Sequence, residues 1–494
     1  GPRGNGIETY NMNNGTSYGS ATDFTTTTIP WCTFPIPLDR YALDAHFGTE
    51  KTWDFYNSYF NRNSVNNLGF KLLSYVHTNL IGMGFPNNVN AFWDGTRMTY
   101  GDGNSTVTPL TSLDIAGHEV SHGVTSNTSS LIYQKEPGAL NESFSDCMGI
   151  SIRYYAKGGS GPIDWLIGDE INLIIRDMSN PKLHGQPDTY LRTYWYSTVS
   201  CTPNPTTNDN CGVHRNSGVM NKWYYLVSVG GSGTNDNGLV YNVPGIGITK
   251  AAAITYRMNC HYNCSISQYI DARNNSIRAA IDLYGSGSPE VITVTAAWDA
   301  VGVTGTYTTI DLWMHDNTIP ADYGNEPNNN SGGNMWSSQD IWVSSSPTGL
   351  INENPVYHLP ITGIHNYVRV KVHNKGTQQS CGKELLKVYW AKAATSPDYP
   401  APWDGSQLYN GYPLGGNVGI GVQTVPVIPA GSSAIVTFPW DPPNPYDYIG
   451  AIGSNDPGHF CLLARIETIL SPPWGMTFPE TSSLWSNTWN NNNV

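Results

Sequence analysis

Residues 116–146 read AGHEVSHGVTSNTSSLIYQKEPGALNESFSD, and this stretch decides how the rest of the chain is interpreted. It contains two histidines four residues apart, His118 and His122, with Glu119 directly after the first. On a helix, positions i and i+4 lie on one face, so both imidazoles can bind a single metal ion. Glu119 lies beside that face, where a carboxylate can take a proton from metal-bound water. Because such a motif also occurs by chance on partly exposed helices, the motif alone leaves both interpretations open.

Glu142 favours the metal site. It follows His122 by twenty residues, on a second predicted helix over 137–156 that opens with proline. Two histidines and one glutamate, with water in the fourth position, form the open ligand set of a hydrolytic zinc site. Asn141 and Asp146 could accept the remaining ring N–H groups of the two histidines. Helix capping or a solvated surface would explain either residue alone, but not why both flank Glu142.

Length and composition set the broad class of the protein. A chain of 494 residues is too long for one core, so two or three domains are expected. Only 13% of residues are charged, and the net charge is −13 with no cluster of Lys or Arg. This balance argues against nucleic acids and anionic membranes as partners. No segment is long and apolar enough to span a bilayer, and no signal peptide is visible, which we interpret as a mature or trimmed form.

None of the eight cysteines forms a CxxC pair, which argues against a cysteine-ligated zinc cluster. Two pairs close short polar loops and two more cysteines lie alone in the C-terminal region, and this pattern predicts disulfides in an oxidising compartment. Cys147 lies in an apolar helical run, where a buried thiol is expected, and Cys32 has no obvious partner. The remaining six give three predicted bonds: Cys201–Cys211, Cys260–Cys264 and Cys381–Cys461.

Hydrophobic spacing divides the chain into two parts. The first is a mixed region with strand and loop up to about residue 40 and a broken helical pattern over 44–79. Further helices are predicted over 113–125, 217–229, 248–257, 267–284 and 289–301. From residue 309 onward, alternating runs such as NYVRVKVHN and SAIVTFPW are bounded by turn residues, which predicts an all-β sandwich.

The stretch over 116–146 closely resembles the zinc-binding core of the thermolysin-like metallopeptidases, of the thermolysin and bacillolysin type. The resemblance extends from RGNGIETY at residue 3 to AWDAVGV ending at residue 303, about three fifths of the chain. It implies an α+β, two-lobed peptidase over 1–304, with a β-rich lobe over about 1–130 and a helical lobe over 131–304. An Ig-like β-sandwich over 305–494 follows. It also implies a secreted bacterial endopeptidase that cleaves proteins or peptides, with zinc on His118, His122 and Glu142 and with Glu119 as the general base.

Other blocks acquire roles from the same resemblance. Tyr133 in LIYQ and His214 in DNCGVHRNSG would donate hydrogen bonds to the oxyanion, and Asp209 would orient His214. Arg176 in IIRDMSNP would bind a substrate carbonyl on the leaving-group side. The plainer alternatives are a core tyrosine, a loop histidine and a surface ion pair.

The substrate would lie along NVNAFWDG, the block that matches the family's substrate-holding edge strand. This assignment implicates Asn90, Ala91 and Trp93. Four apolar positions of this chain resemble those that form the wall of the family's main substrate pocket. An apolar pocket predicts cleavage before Leu, Ile, Val or Phe. These positions are Val107, Leu110, Ile115 and Ile175.

Two departures from the family alter the expectations for the peptidase region. In the family, carboxylates matching Asp114, Asp164 and Asp169 share calcium with a glutamate, and that glutamate position here is Arg153. A guanidinium can replace the charge of the ion but cannot ligate it, so calcium is in doubt at this site. The family's opening strands are also missing, so we expect another chain, the β-sandwich or a shortened hairpin to cover the edge near GNGIETY.

The C-terminal third lies outside the peptidase core and resembles a β-sandwich module of bacterial secreted proteins. Four of its acidic residues could form a calcium site, although acidic loop residues are usually only solvated. They are Asp316, Asp322, Glu326 and Asp340.

The sequence therefore predicts a zinc endopeptidase. The alternative is a catalytically inert peptidase scaffold that acts as a binding or adhesion protein through its β-sandwich. The retained Glu119 argues against this alternative, because a scaffold has no need of a base beside the metal.

Overall fold

The computed structural model describes residues 3–25, 39–317, 323–328, 337–348, 366–393, 398–451, 456–468, 476 and 478–494. The chain divides into two compact units, Gly1–Tyr307 and Thr308–Val494. The first unit is mixed α and β and the second is built on β-sheets, which confirms the predicted fold class. No helix within the described ranges combines the length and apolar character needed to cross a bilayer.

The first unit opens with a five-stranded sheet in the order β2-β1-β3-β5-β4, next to the long helix α1. Strands β1 and β3 are parallel, as are β3 and β5, whereas β2 and β4 run antiparallel to their neighbours. Strand β4 is the outer strand on one side, and the two-residue strand β2 pairs with Tyr10 and Asn11 of β1 on the other. The elements are β1 (Ile7–Asn11), β2 (Thr22–Asp23), α1 (Asp39–Phe60), β3 (Leu72–Thr78), β4 (Ala91–Trp93) and β5 (Met98–Gly101).

The prediction of helix over the second half of 44–79 is wrong. Helix α1 ends at Phe60, and residues 72–78 form β3, which has sheet neighbours on both sides. Leu72 and Val76 are four residues apart, which fits a helical face, but nearly all of β3 is buried. A continuously buried strand has no alternation, so spacing alone cannot distinguish it from a helix.

The remainder of the first unit is mainly helical, and the predicted helices are confirmed to within about two residues at each end. Helix α8 shows why: Pro289 occupies its first turn, and the Ser288 hydroxyl caps it by accepting a hydrogen bond from the Val291 amide. The elements are α2 (Leu113–Ser126), α3 (Lys135–Ala156), β6 (Leu166–Ile167), β7 (Arg176–Asp177), α4 (Asp209–Asn216), α5 (Gly218–Val229), β8 (Gly230–Thr234), β9 (Val240–Pro244), α6 (Ile248–Arg257), α7 (Tyr269–Tyr284) and α8 (Pro289–Ala300).

Helices α2 and α3 pack closely because glycines lie at their contact. A Cβ added to Gly149 of α3 would lie 2.6 Å from the carbonyl oxygen of Asp114 on α2. A Cβ on Gly117 would lie 3.0 Å from Ile152. Larger residues would therefore separate the helices, and the side chains that they direct toward each other would lose contact.

Within its described residues, the second unit contains two larger sheets and a two-stranded sheet of β14 and β15. In one larger sheet, β17 follows one side of β12 over residues 366–373, while β11 and β10 follow the other side in succession. The other larger sheet has the order β16-β13-β18. The elements are β10 (Leu312–Trp313), β11 (Ile341–Ser344), β12 (Asn366–Asn374), β13 (Leu385–Lys392), β14 (Leu408–Tyr409), β15 (Tyr412–Pro413), β16 (Gly415–Thr424), β17 (Ser433–Trp440), β18 (Phe460–Glu467) and α9 (Leu484–Asn490).

The core of this unit lies between the two larger sheets. Strand β12 alternates between buried and partly exposed residues, with Val368, Val370 and Val372 directed inward. They pack with residues of the second sheet such as Leu386 and Val388. This alternation is typical of a sheet with one face on the core and one face toward solvent.

One of the three predicted disulfides is confirmed. Cys201 and Cys211 are bonded, with their Cα atoms 6.1 Å apart. The predicted Cys381–Cys461 bond is wrong: Cys461 is a free thiol, and it pairs in register with Ala391 at one end of β13. Cys381 precedes the opposite end of that strand, about 20 Å away at roughly 3.4 Å per residue.

The predicted Cys260–Cys264 bond is also wrong. Cys260 and Cys264 are not bonded to each other, and the Cys264 sulfur lies 3.9 Å from the carbonyl oxygen of Tyr262. Cys260 lies within a π-helical turn, Met258–Tyr262, which Cys264 follows by two residues. Short spacing in a polar sequence therefore did not place these two sulfurs together. Cys147 is buried, as predicted, and Cys32 lies outside the described residues.

Candidate metal centre

Helices α2 and α3 bring His118, His122 and Glu142 together. The Nε2 atoms of the two histidines are 3.0 Å apart. Glu142 Oε1 lies 3.3 Å from Nε2 of His122, and Oε2 lies 3.6 Å from Nε2 of His118. A tetrahedral zinc ion with ligand bonds of 2.0–2.2 Å places its ligand atoms about 3.3 Å apart. The three residues therefore have the spacing that such an ion requires.

The outer nitrogen of each imidazole faces an oxygen of α3. Nδ1 of His118 is 2.8 Å from Asp146 Oδ1, and Nδ1 of His122 is 2.8 Å from Asn141 Oδ1. The amide nitrogen of Asn141 donates to the carbonyl of Leu131, which fixes the orientation of this amide. Because both oxygens accept, each neutral ring carries its proton on Nδ1 and a lone pair on Nε2.

The Nε2 lone pairs of His118 and His122 therefore face each other and the Glu142 carboxylate. Because all three groups are electron-rich, a cation between them would stabilise the arrangement. Glu142 is fully buried, and its Oε2 has no hydrogen-bond partner. Burial lowers the pKa of His122, but the charges of Glu142 and Glu119 outweigh burial and raise this pKa to about 9. The donor set thus fits zinc on observations from this structure alone: convergent lone pairs, an orphaned carboxylate oxygen and a strong preference for positive charge.

Glu119 lies on α2 between the two histidines and is only 6% exposed. Its position after His118 keeps it beside the ligand face, as the helical pattern predicted. Its charge contributes to the raised pKa of His122, which indicates that the carboxylate lies near the ligand atoms.

Tyr133 and His214 reach the same carboxylate from outside the helix pair. The Tyr133 hydroxyl donates to Glu142 Oε1 and lies 3.1 Å from Nε2 of His214. Nδ1 of His214 is 2.5 Å from Asp209 Oδ1, and the backbone N–H of His214 donates to Asp209 Oδ2. Partial desolvation lowers the pKa of His214, but the charges of Glu142 and Asp209 raise it overall. His214 remains 49% exposed, so it can meet a molecule from solvent.

The turn that carries Asp209 has an unusual backbone. Asp209, Asn210 and Cys211 have φ values of 52°, 46° and 68°, in the left-handed region that favours glycine. The Cys201–Cys211 disulfide and a hydrogen bond from the Cys211 amide to the Asn208 side chain hold this turn. The resulting kink places the Asp209 carboxylate beside the His214 ring.

Comparison with known proteins agrees with this geometry. The model of the thermolysin metallopeptidase catalytic domain matches residues 2–126, and that of the α-helical domain matches residues 129–303. The neutral protease NprE of Bacillus pumilus is 38% identical over 307 residues, covering 61% of this chain and 89% of that protein. The chain belongs to the thermolysin metallopeptidase family.

Longer relatives of the thermolysin metallopeptidase family match as well. Bacillolysin of Bacillus cereus is 41% identical over 278 residues, covering 55% of this chain and 45% of that protein. Bacillolysin of Brevibacillus brevis is 38% identical over 309 residues, covering 61% and 52%. The chain spans about half the length of these two bacillolysins. Among solved structures, a precursor of protealysin, a metalloproteinase from Serratia proteamaculans, is 27% identical with a TM-score of 0.46, covering 60% of this chain and 87% of that chain.

The residue that family resemblance assigns to a substrate carbonyl, Arg176, is buried against Asp146. Its Nη2 donates to Asp146 Oδ1, and its Nε lies 2.7 Å from Oδ2. Asn221 of α5 donates to the same Oδ2 and accepts from Ser143. Asn221 was not predicted as a site residue, although a lone asparagine in the apolar segment that forms α5 was a signal.

The predicted substrate strand and pocket lie near α2. Ala91 and Trp93 belong to the outer strand β4, and the carbonyl of Asn90 accepts from the Gly101 amide. A Cβ on Gly123 of α2 would lie 3.1 Å from the Trp93 ring, so the strand lies against this helix. All four predicted pocket residues fall in one apolar cluster together with Ala91 of the predicted substrate strand. The cluster also includes Val89 and Ile171, which were not predicted from the sequence. The cluster contains Val107, Leu110, Ile115, Ile175, Val89, Ala91 and Ile171.

At the position that the family resemblance assigns to calcium, the structure contains a guanidinium. Arg153 is only 2% exposed, and its Nη1 lies 2.6 Å from Asp169 Oδ1 and 3.6 Å from Asp114 Oδ2. Its Nη2 donates to the carbonyls of Asp164 and Leu166. The side chain therefore points inward, among the groups that would otherwise surround an ion.

The four acidic residues of the second unit do not gather around one point in the described residues. Asp316 accepts hydrogen bonds from the amides of Asn317 and Asn328, and Glu326 accepts from the backbone of Asn492. Asp340 contacts two histidines instead, and Asp322 lies outside the described residues.

Proposed function

We propose that the chain is a secreted bacterial zinc endopeptidase that cleaves proteins or peptides on the N-terminal side of bulky apolar residues. The observation that carries the proposal is the convergence of His118, His122 and Glu142, with lone pairs aimed at one point and an orphaned buried oxygen. These three residues would hold zinc. When bound, zinc polarises the scissile carbonyl and lowers the pKa of its bound water.

The residues around the ion would move protons and bind charge. Glu119 would accept the proton of the attacking water and pass it to the leaving amine. Tyr133 and His214 would donate hydrogen bonds to the oxyanion, each typically worth about 3–4 kcal/mol in a dry cleft. The Tyr133 hydroxyl oxygen and His214 Nε2 lie 3.1 Å apart, so both could donate to one oxygen that lies about 2.8 Å from each.

Substrate would add to β4 as a further strand. An outer strand offers unpaired N–H and C=O groups, which an extended peptide can bind. Asn90, Ala91 and Trp93 lie along this edge, and the apolar cluster would receive the side chain after the scissile bond. Arg176 uses two nitrogens on Asp146, and we propose that another donates to the substrate carbonyl.

Secretion and completion of the sheet edge remain part of the proposal. The Cys201–Cys211 disulfide supports an oxidising compartment. Strand β2 covers β1 at Tyr10 and Asn11, so a further segment or chain could pair with the rest of β1.

The experiment compares Glu119→Gln with the wild type on casein and on a quenched peptide. Because glutamine keeps the volume but removes the base, kcat/KM should fall by roughly 10²- to 10⁴-fold. Zinc content should remain the same as in the wild type, and Glu170→Gln, an exposed glutamate paired with Lys157, serves as the control. Chelation should abolish cleavage by the wild type. If Glu119→Gln is as active as the wild type, or if the wild type cleaves nothing, the scaffold interpretation replaces this one.

A further inference from the structure

Among the described residues, a second group of metal-ligand side chains lies in the C-terminal unit, far along the chain from the peptidase residues. We propose that His315, Asp340 and His373 bind a second zinc ion. This site is independent of the proposed peptidase function, since all three residues belong to the unit Thr308–Val494.

Strand pairing brings the three residues together from distant parts of the sequence. Trp313 of β10 pairs with His373 of β12, and Ile341 of β11 pairs with Val370. Because β10 and β11 follow the same side of β12, the chain leaving β10 meets the chain entering β11. The backbone N–H of His315 donates to Asp340 Oδ2 at this junction, which confirms the contact.

The cluster lies on the outward face of the sheet. Val370 and Val372 of β12 point into the core, whereas His373 follows the opposite alternation and is partly exposed. Lys371, on the same face, donates its backbone N–H to the carbonyl of Asp340. Packing of the core therefore does not account for this grouping of two imidazoles and a carboxylate.

The donor atoms are close to the spacing of a metal site. Asp340 Oδ2 lies 2.6 Å from Nδ1 of His315 and 3.0 Å from Nε2 of His373, and all ligand atoms lie within 4.8 Å of one another. Tetrahedral zinc places its ligands about 3.3 Å apart, so the carboxylate oxygen would have to move about 0.7 Å away from His315 and about 0.3 Å away from His373 to reach that spacing.

The geometry of the two rings resembles that of the peptidase site. The rings of His315 and His373 have centroids 5.2 Å apart and an interplanar angle of 79°. The corresponding values for His118 and His122 are 4.6 Å and 84°. Trp313 stacks on His373 and contacts His315, with both centroid distances 4.7 Å, so the rings have limited freedom to turn away.

The ligand chemistry selects zinc over calcium. Calcium takes six to eight oxygen ligands, whereas two imidazole nitrogens and one carboxylate suit zinc with an open position for water. Both histidine side chains are 17% exposed, so an ion can enter from solvent, while Asp340 is nearly buried. The bound ion would join the ends of β10 and β11 to β12 and stabilise this unit.

The test measures zinc per chain by plasma mass spectrometry, on the full chain after dialysis against buffered micromolar zinc. The wild type should bind two ions, His122→Ala one, His373→Ala one, and the double variant none. Asp340→Asn serves as a second variant in case His373→Ala does not fold, and it should also bind one. His459→Ala, an exposed histidine of the same unit, should still bind two.

A further readout uses the His122→Ala protein, in which only the proposed site remains. Zinc should raise its melting temperature, and cobalt should give the visible absorption of a tetrahedral site. A wild type with one zinc, together with a His373→Ala protein that also keeps one, would show that the carboxylate merely accepts two imidazole hydrogen bonds, and would overturn the proposal.

Discussion

Each histidine of α2 is oriented by a residue of α3. Asp146 holds His118 and is itself held by Arg176 and Asn221, so this imidazole ends a chain of buried polar contacts. His122 is held by the neutral amide of Asn141. These partners fix the tautomers and aim both lone pairs at one point. The orienting residues lie outside the HExxH motif, so the motif alone could indicate either a metal site or a chance pattern on an exposed helix. The residues around Glu142 favour the metal site.

His214 provides a prediction about pH at the residue scale. Its Nδ1 gives a proton to Asp209, so only the protonated ring can also donate from Nε2 to an oxyanion. Glu142 and Asp209 hold the pKa of His214 above its ordinary value, despite partial desolvation, so donation persists to higher pH and is lost as pH rises through this pKa. Asp209→Asn should move the alkaline limb of kcat/KM downward by roughly one pH unit.

The pH profiles of the wild type, Asp209→Asn and Asp404→Asn decide this point. Asp404 lies in the second unit and caps a turn there, so its substitution should leave the profile unchanged. An unaltered alkaline limb in Asp209→Asn would show that another group titrates in that range.

At the scale of elements, local sequence patterns predicted the helices well, but they predicted strand β3 and the disulfide pairs poorly. Helix α6 was predicted over its full length because its apolar spacing and ends lie within ten residues. Strand β3 was not, since its neighbours β1 and β5 come from elsewhere in the chain. The Cys381–Cys461 prediction failed for the same reason, because register between β13 and β18 decides it.

The residues of the candidate metal centre could be predicted from the sequence, whereas the second histidine cluster could not. The ligands of the metal centre lie within 118–142, where helix geometry applies, and the family resemblance extended the set to Tyr133 and His214. The grouping of His315, Asp340 and His373 was not found, because three separate strands produce it. Only Asp340 was singled out, and it was assigned to an acidic cluster that the described residues do not form.

The apolar cluster beside α2 predicts substrate preference. Its walls are aliphatic, so cleavage should fall before Leu, Ile, Val or Phe. Ile175→Ala would widen the pocket, and the ratio of kcat/KM for Phe over Leu should rise roughly tenfold. A peptide library measures both effects, with the exposed neighbour Ile174→Ala as the control. Preferred cleavage before Lys or Asp would contradict the assignment.

The loop closed by Cys201 and Cys211 predicts a redox effect on activity. The bond restrains the left-handed turn that positions Asp209, and removing it should cost about 2–3 kcal/mol of stability. Reduction should therefore lower kcat/KM before the protein unfolds, as judged by near-ultraviolet circular dichroism. Cys201→Ser should reproduce the loss, whereas Cys461→Ser, which removes a free thiol, should not. Full activity after reduction, verified by mass spectrometry, would refute this link.

At the scale of the whole molecule, both units bury apolar side chains, and both also bury charged groups. In the first unit, buried polar contacts surround α3 and include Asp146 and Arg153. In the second, the core lies between two sheets, and the buried side chains of Arg465 and Glu467 lie 3.3 Å apart. These buried charges matter for the response to ions, because a buried polar network is stable only when its charges are matched.

Arg153 provides the last prediction, which concerns the calcium dependence of stability. Its guanidinium contacts Asp114, Asp164 and Asp169 and two backbone carbonyls, so we expect this internal cation to take the role that the family resemblance gives to calcium. Calcium should therefore leave the melting temperature of the wild type unchanged relative to NaCl of equal ionic strength. Arg153→Glu assembles four carboxylates and should lower the free energy of unfolding by about 3–5 kcal/mol without calcium. Calcium at about 100 times its Kd should then restore about 2.7 kcal/mol. Arg153→Met, which keeps the volume but supplies no ligand, should be destabilised without rescue. Equal stabilisation of the wild type and Arg153→Glu by calcium would mean that the ion binds beside the arginine or elsewhere, and that the guanidinium is no substitute for it.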